Sequence, residues 1–265
     1  MKKYIVIGNP IDHSLSPKLH NYWIKKNKIN AIYEKKQIDY ENLKDVIHKV
    51  KEGHIQGINV TVPFKNAVIP FVDYLSPEAE STQSINTIYL NDDKVIGHNT
   101  DIAGFELSLK KIKYEVINKK VLILGAGGVV PSIIFALQKM KVLSITISNR
   151  TKERAEGLKN FFENLIIIDW GKISDFDIII NATSIGLKKE DKINLDFSSI
   201  ENGKLFYDVI YNPEETDFLK RGKIKGNLTE NGKMMFIYQA HQAFTLWHQL
   251  MPEINDETIR VLKND

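Results

Sequence analysis

The chain has no cysteine. Disulfide bridges, thiol nucleophiles and cysteine-ligated zinc are therefore excluded, and nothing calls for an oxidising compartment. Long apolar runs are missing too. Tyr4-Ile5-Val6-Ile7 is ended by Gly8-Asn9-Pro10 after four residues, short of the roughly 7–15 of a signal peptide or the roughly 18 of a membrane span. The cytoplasm is the expected location, with no membrane partner. Neither sign of charge dominates: 36 Lys and Arg against 33 Asp and Glu leave +3 over 265 residues. That excess is spread along the chain, so nucleic acid is not an expected partner. The seven histidines lie scattered without an H-E-x-x-H pattern, so no metal is expected.

What is present is an ordinary stock of apolar side chains, 43% of the chain, enough for a sizeable core in one large domain or two modest ones. The pattern predicts an α/β protein in two parts. In the first part, strands are expected at Tyr4–Gly8, Ala31–Ile38 and Ile55–Val62, with helices at Pro17–Lys26 and Glu41–Lys51. Leu43, Val46, Ile47 and Val50 mark one face of the second helix. Ile85–Leu90 and Lys94–His98 read as a strand pair about Asn91-Asp92-Asp93. The second part alternates strands (Val121–Leu124, Leu143–Ser148, Leu165–Ile168, Ile178–Ile180, Leu205–Val209) with helices (102–112, 130–140, 152–162). Such alternation implies a Rossmann-like, doubly wound parallel sheet. A long helix near 234–250 and a last one near 256–262 are expected to return to the first part. The expected domains are therefore 1–101 with 234–265, and 102–233.

Val121-Leu122-Ile123-Leu124-Gly125-Ala126-Gly127-Gly128 sits where a strand turns into a helix. Glycines let the backbone approach a pyrophosphate, and the helix N-terminus offers N–H groups and a positive dipole end. The match to G-x-G-x-x-G is incomplete, with Val130 at the third glycine position. After the next strand stands Asn149-Arg150-Thr151-Lys152-Glu153-Arg154. No acid is placed to grip a ribose 2′-hydroxyl, whereas Arg150, with Lys152 or Arg154, suits a 2′-phosphate. The simpler reading is a solvated charge run. Against it, cations at a helix N-terminus oppose the dipole.

Three polar clusters interrupt the first part: Gly8-Asn9-Pro10-Ile11-Asp12-His13-Ser14-Leu15-Ser16-Pro17 with His20-Asn21; Asn59-Val60-Thr61-Val62-Pro63-Phe64-Lys65; and Asn86-Thr87 with Asn99-Thr100-Asp101. Each falls at a strand end, where open α/β sheets bind ligands. Their hydroxyls and amides, with one amine and one carboxylate, suit a small polyhydroxylated anion. Ser14 and Ser16 can donate to a carboxylate; Asn59, Thr61, Asn86 and Asp101 can bond ring hydroxyls. Lys65 and Asp101 could also be a plain surface ion pair. His13 reads as an ordering residue of its turn, and Tyr211 as a site residue or a packed aromatic.

Taken together these motifs resemble the shikimate dehydrogenase family. They are G-N-P-I-D-H-S-L-S-P-K-L-H-N, N-V-T-V-P-F-K, I-N-T, G-H-N-T-D, G-A-G-G, N-R-T, N-A-T-S-I-G, D-V-I-Y-N-P and the Gln239-Ala240 pair, in order from residue 8 to residue 240. The resemblance implies reversible reduction of 3-dehydroshikimate to shikimate with NADPH, in aromatic amino-acid biosynthesis. It implies Lys65 and Asp101 as the catalytic pair, and Ser14, Ser16, Thr61, Asn86, Tyr211 and Gln239 as substrate contacts. Gly125, Ala126, Gly127, Gly128, Val129, Asn149, Arg150, Thr151, Lys152, Arg154, Ile210 and Gly232 are implied as NADP contacts. Gln83-Ser84 departs from the small Gly-Ala often found before I/V-N-T, and Phe64 stands where some members carry His. The state is expected to be monomer or homodimer. Alternatives are a quinate/shikimate dehydrogenase using NAD, or a non-catalytic ligand-binding regulator of the same fold. The missing acid disfavours the first; the presence of both Lys65 and Asp101 disfavours the second.

Overall fold

The computed structural model describes residues 1–263. The first unit comprises Met1–Gly104 and the chain from Ile237 onward; the second is Phe105–Phe236. The first unit begins with β1 (Lys2–Gly8), α1 (Ser16–Lys26), β2 (Ala31–Gln37), α2 (Leu43–Lys51) and β3 (Gly57–Val60). It continues through β4 (Tyr74–Leu75), α3 (Pro77–Thr82), β5 (Thr87–Asn91), β6 (Lys94–His98) and the first turn of α4 (Asp101–Lys111).

Its sheet runs in the order β2-β1-β3-β5-β6-β4. β1 pairs parallel with β2 and β3, whereas β5 is antiparallel to both β3 and β6. That reversal matters for function. The start of β5 lies at the same edge as the ends of β3 and β6, with Asn59 opposite Thr87 and Thr87 opposite His98. The two-residue turn of the hairpin has both Asp92 and Asp93 at positive φ, 46° and 59°, which matches the right-handed twist of the strands.

Both faces of this sheet are covered, so β1 is apolar on both sides. Ile5 and Ile7 join Leu43, Val46, Ile47 and Val50 of α2 in one core. Tyr4, on the opposite face, meets Trp247 at a ring-centroid distance of 5.0 Å. The same face holds His20, Trp23, Tyr33 and Phe244, so the C-terminal helix packs into the first unit. Gly57 permits this approach: a Cβ there would stand 2.4 Å from the Trp247 indole nitrogen.

The second unit contains β7 (Lys120–Leu124), α5 (Val130–Lys139), β8 (Ser144–Ser148), α6 (Lys152–Gly157), β9 (Leu165–Ile168), β10 (Ile178–Asn181), β11 (Leu205–Asp208), α7 (Asp217–Ile224) and β12 (Leu228–Glu230). α8 (Lys233–His248) and α9 (Asp256–Val261) follow. All six strands are parallel, in the order β12-β11-β10-β7-β8-β9. This is the Rossmann-like, doubly wound arrangement, with its order reversing between β7 and β10.

Sequence periodicity and structure differ at several ends. The helix expected over 152–162 stops at Gly157 and continues as a single 3₁₀ turn. The strand expected over 55–62 is confined to Gly57–Val60. The boundaries between units fall within α4 and α8, because both helices run through them unbroken.

Candidate active site

The polar clusters of the first unit meet at the shared edge of β1, β3, β5 and β6. The turn after β1 is held by Ser14 N–H donating to the Ile11 carbonyl at 3.0 Å. Ser14 Oγ accepts from Ser16 N–H at 3.3 Å. The turn after β3 lies alongside: Thr61 N–H donates to the Ile7 carbonyl and Asn9 N–H to the Val62 carbonyl. Only glycine fits at position 8, since a Cβ would stand 2.6 Å from the Thr61 methyl.

Lys65 follows one turn later. Its Nζ is 2.5 Å from Asp101 Oδ2, with side-chain exposures of 11% and 8%. Such burial sets it apart from the surface pairs of this chain, whose side chains are wetter and worth little. Asp101 Oδ1 accepts from Asn86 Nδ2 at 2.9 Å. Asn86 Nδ2 also reaches Thr100 Oγ1 at 2.9 Å and Gln239 Oε1 at 3.5 Å. Asn86 Oδ1 accepts from Thr100 N–H at 2.8 Å. Asn99 opens α4, its Oδ1 accepting from Asp101 N–H at 3.0 Å. The Lys65 carbonyl accepts from Ile85 N–H at 2.9 Å, tying the amine's backbone to the segment that leads through Asn86 into β5.

Asn59 is buried, and its amide is engaged inside the protein. Nδ2 donates to the Asn86 carbonyl (3.0 Å) and Thr87 Oγ1 (3.1 Å), while Oδ1 accepts from Tyr33 Oη at 2.7 Å. Ser16 bonds the same Tyr33 hydroxyl, and burial pushes that phenol well above its ordinary pKa. The chain Ser16–Tyr33–Asn59–Asn86 thus links all three polar clusters. Tyr33 was not singled out by the sequence, because a tyrosine on a strand reads as core. Gln83 occupies a left-handed conformation, φ 47°, at the end of α3, the conformation that glycine adopts without strain. The backbone around Asn86 keeps its hydrogen bonds despite that departure.

The second unit carries the remaining expected residues. Gly125 has φ 110°, and a Cβ on it would lie 2.8 Å from the Ala182 carbonyl oxygen. Gly127 has open space above it, with no atom nearer than 3.9 Å to such a Cβ. Ala126, Gly128 and Val129 complete the turn, and α5 begins at Val130 without a side-chain cap or an acid in its first turn. An uncapped helix start behind an open glycine turn fits a pyrophosphate. Asn149 Nδ2 donates to the Thr151 carbonyl at 2.6 Å, shaping the turn after β8.

Arg150 and Arg154 are exposed there, and neither forms an ion pair among the described residues. Lys152 is engaged instead, 2.8 Å from Asp169, which raises the amine's pKa. Lys172 shares that carboxylate at 3.1 Å. The free cations after β8 are thus arginines, the side chain whose planar fork matches phosphate.

Ile210 is buried and accepts from Gly232 N–H at 3.0 Å. Tyr211 stacks on Phe236 at 4.6 Å. His13 is exposed. Among the described residues there is no group of three or more metal-ligating side chains, and no helix long and apolar enough to cross a membrane.

Two family models match the chain. Residues 6–88 match the shikimate dehydrogenase substrate binding domain, and residues 106–195 match shikimate / quinate 5-dehydrogenase. A shikimate dehydrogenase (NADP(+)) of Pelagibacter ubique is 59% identical over 261 residues, 98% of each chain. The chain belongs to the shikimate dehydrogenase family. Solved members superpose closely. A shikimate dehydrogenase in complex with NADP+ gives a TM-score of 0.91 at 34% identity, covering 99% of this chain and 95% of that one. The enzyme from Thermus thermophilus, in complex with NADP(H) and shikimate, gives 0.89 at 30%, covering 99% and 100%. Within this family the chain is an oxidoreductase acting on a CH–OH group.

Proposed function

We propose that this chain reduces 3-dehydroshikimate to shikimate, reversibly, with NADPH as cofactor, in aromatic amino-acid biosynthesis. The observation that carries the reading is the buried Lys65–Asp101 pair, braced by Asn86 in a family of shikimate dehydrogenases.

NADPH, when bound, supplies the hydride; Gly125–Val129, Asn149–Arg154, Ile210 and Gly232 are the residues that would hold it. Everything else falls to the chain's own groups. Reduction of a ketone leaves an alkoxide that must gain a proton. Lys65 Nζ, as an ammonium, donates it, and in the reverse direction the neutral amine takes it back. Asp101 orients Lys65 through its Oδ2 and offers that carboxylate to the adjacent ring hydroxyl. Asn86 and Thr61 bond ring hydroxyls, and the Ser14 and Ser16 hydroxyls grip the carboxylate, Ser16 by turning its proton from the Tyr33 oxygen to the ligand. Tyr211 and Gln239 complete the substrate contacts. Asn59 serves through Asn86, whose carbonyl it holds.

The first unit is proposed as the substrate domain and the second as the NADP domain. The cytoplasm is the proposed location, with a monomer or homodimer as the working state. The NAD-linked quinate reading has less support, since no acid follows β8 at the ribose position. The test follows the reduced-nicotinamide absorbance band, pairing shikimate or quinate with NADP+ or NAD+. Turnover is expected with shikimate and NADP+. Preference for quinate, or for NAD+, would overturn the reading.

A further inference from the structure

The strand ends of β10 and β11 hold a buried carboxylate that the reaction described above does not use. Asn181 and Asp208 are register partners, each the last residue of its strand, and both side chains are fully buried. Asp208 receives three donors. Asn181 Nδ2 reaches both oxygens at 3.1 Å, Ile210 N–H reaches Oδ1 at 3.0 Å, and Thr216 Oγ1 reaches Oδ2 at 2.6 Å.

Two of these donors come from the connection between β11 and α7 and the third from the end of β10. Asn181 shapes the turn after β10, accepting from Thr183 N–H and Oγ1 and donating to the Ile185 carbonyl. Thr216 caps α7, its Oγ1 accepting from Leu219 N–H. Gly186, at φ 116°, lets the turn after β10 close on that connection, since a Cβ there would lie 3.1 Å from the Thr216 methyl and 3.3 Å from Ile210 Cδ1.

Ile210 passes the constraint on. Its carbonyl accepts from Gly232 N–H, and a Cβ on Gly232 would meet the Val209 carbonyl oxygen at 2.0 Å. The segment therefore has no slack on that side either.

We infer that Asp208 is a positioning residue: its carboxylate fixes Ile210 and Tyr211 against the turn after β10 and so holds in place the ligand contacts proposed for these two residues. The inference rests on the reaction proposed above. Three converging donors need a group that only accepts, and an ionised carboxylate is that group. No lysine or arginine pairs with Asp208 among the described residues, and burial lifts its pKa to about 6. A buried charge without a counter-ion is costly. Capping α7 alone does not call for it, since Thr216 performs the cap.

Asp208→Asn keeps the shape but turns an N–H₂ toward one of the converging donors. The Michaelis constant for NADP+ is expected to rise roughly tenfold or more, with a smaller rise for shikimate and a lesser loss of kcat. A merely structural role would lower kcat with the active fraction and leave both constants alone; that result overturns the inference. Should this variant not fold, Thr216→Val removes the Oδ2 contact alone and is expected to raise the NADP+ constant about threefold. An unchanged constant there overturns it equally. Wild-type turnover of shikimate with NADP+, measured alongside, separates this failure from failure of the proposed reaction.

Discussion

Lys65 and Asp101 face each other across 2.5 Å, both nearly closed off from solvent, and come from different turns of one sheet edge. The pair is part of a connected network, since Asp101's second oxygen binds Asn86 and Asn86 binds Thr100. Removing either partner therefore has a chemical and a structural consequence.

Lys65→Ala is expected to lower kcat by about 10²–10⁴, the range for losing a general acid/base. Steady-state kinetics in both directions checks this, and a loss below tenfold would exclude the role. Asp101→Asn leaves a buried amine unpaired. It is expected to lower both kcat and the unfolding free energy, the latter by about 3 kcal/mol. Urea titration reads the second effect.

Ser14→Ala should mainly raise the Michaelis constant for shikimate. Ser14 Oγ has one lone pair taken by Ser16 N–H, and its proton is available to a ligand carboxylate. The rise is expected at about tenfold. Unchanged shikimate affinity would remove Ser14 from the site.

The arginines after β8 should set cofactor choice. Arg150→Ala is expected to lower kcat/KM for NADP+ by roughly 10–100-fold while leaving the NAD+ value little changed, the effect of losing charge-assisted bonds to phosphate. Lys152→Ala should matter less, because Lys152 already spends its charge on Asp169. Equal losses with both dinucleotides would contradict this assignment.

Acid should loosen the first unit. His20 is 1% exposed, stacked on Tyr33, and neither ring nitrogen has a hydrogen-bond partner. Burial lowers its pKa to about 3, and burial lowers that of His248 to about 4. In the unfolded chain both protonate near the ordinary 6.5. Below that pH the unfolded state binds more protons, so stability is full above 6.5 and is lost as pH falls toward the folded values. At pH 5 the His20 share is about 2 kcal/mol. Asp208, raised to about 6, acts in the opposite sense between its unfolded and folded values and offsets part of the loss. His20→Phe should flatten the fall in urea midpoint between pH 7 and pH 5; an unchanged slope would show that His20 does not contribute.

Much of this architecture was legible because it rests on short-range signals. Apolar runs ending in glycine gave β7 and its turn, and the spacing of Leu43, Val46, Ile47 and Val50 gave α2. The pieces that escaped are those whose reason is tertiary. β4 has two residues and exists only as a partner for β6. α3, six residues long, has a readable start in Ser76 and Pro77 but too little length for a period. At the site, residue types and motif order indicated Lys65, Asp101 and Asn86. They could not show that Tyr33 bridges Ser16 to Asn59, nor that Lys152 is turned to Asp169, because those pairings depend on strands distant in the chain.

The second unit is one unbroken stretch, 105–236, inserted between the two parts of the first. During synthesis it can therefore finish folding before the older unit does, since domains fold as their residues emerge. A nascent chain ending at Phe236 would contain every strand of both sheets, yet Tyr4 and Trp23 would still await Phe244 and Trp247. The earliest-made part of the molecule is thus the last to be completed, and truncations from the C-terminal end should damage it first.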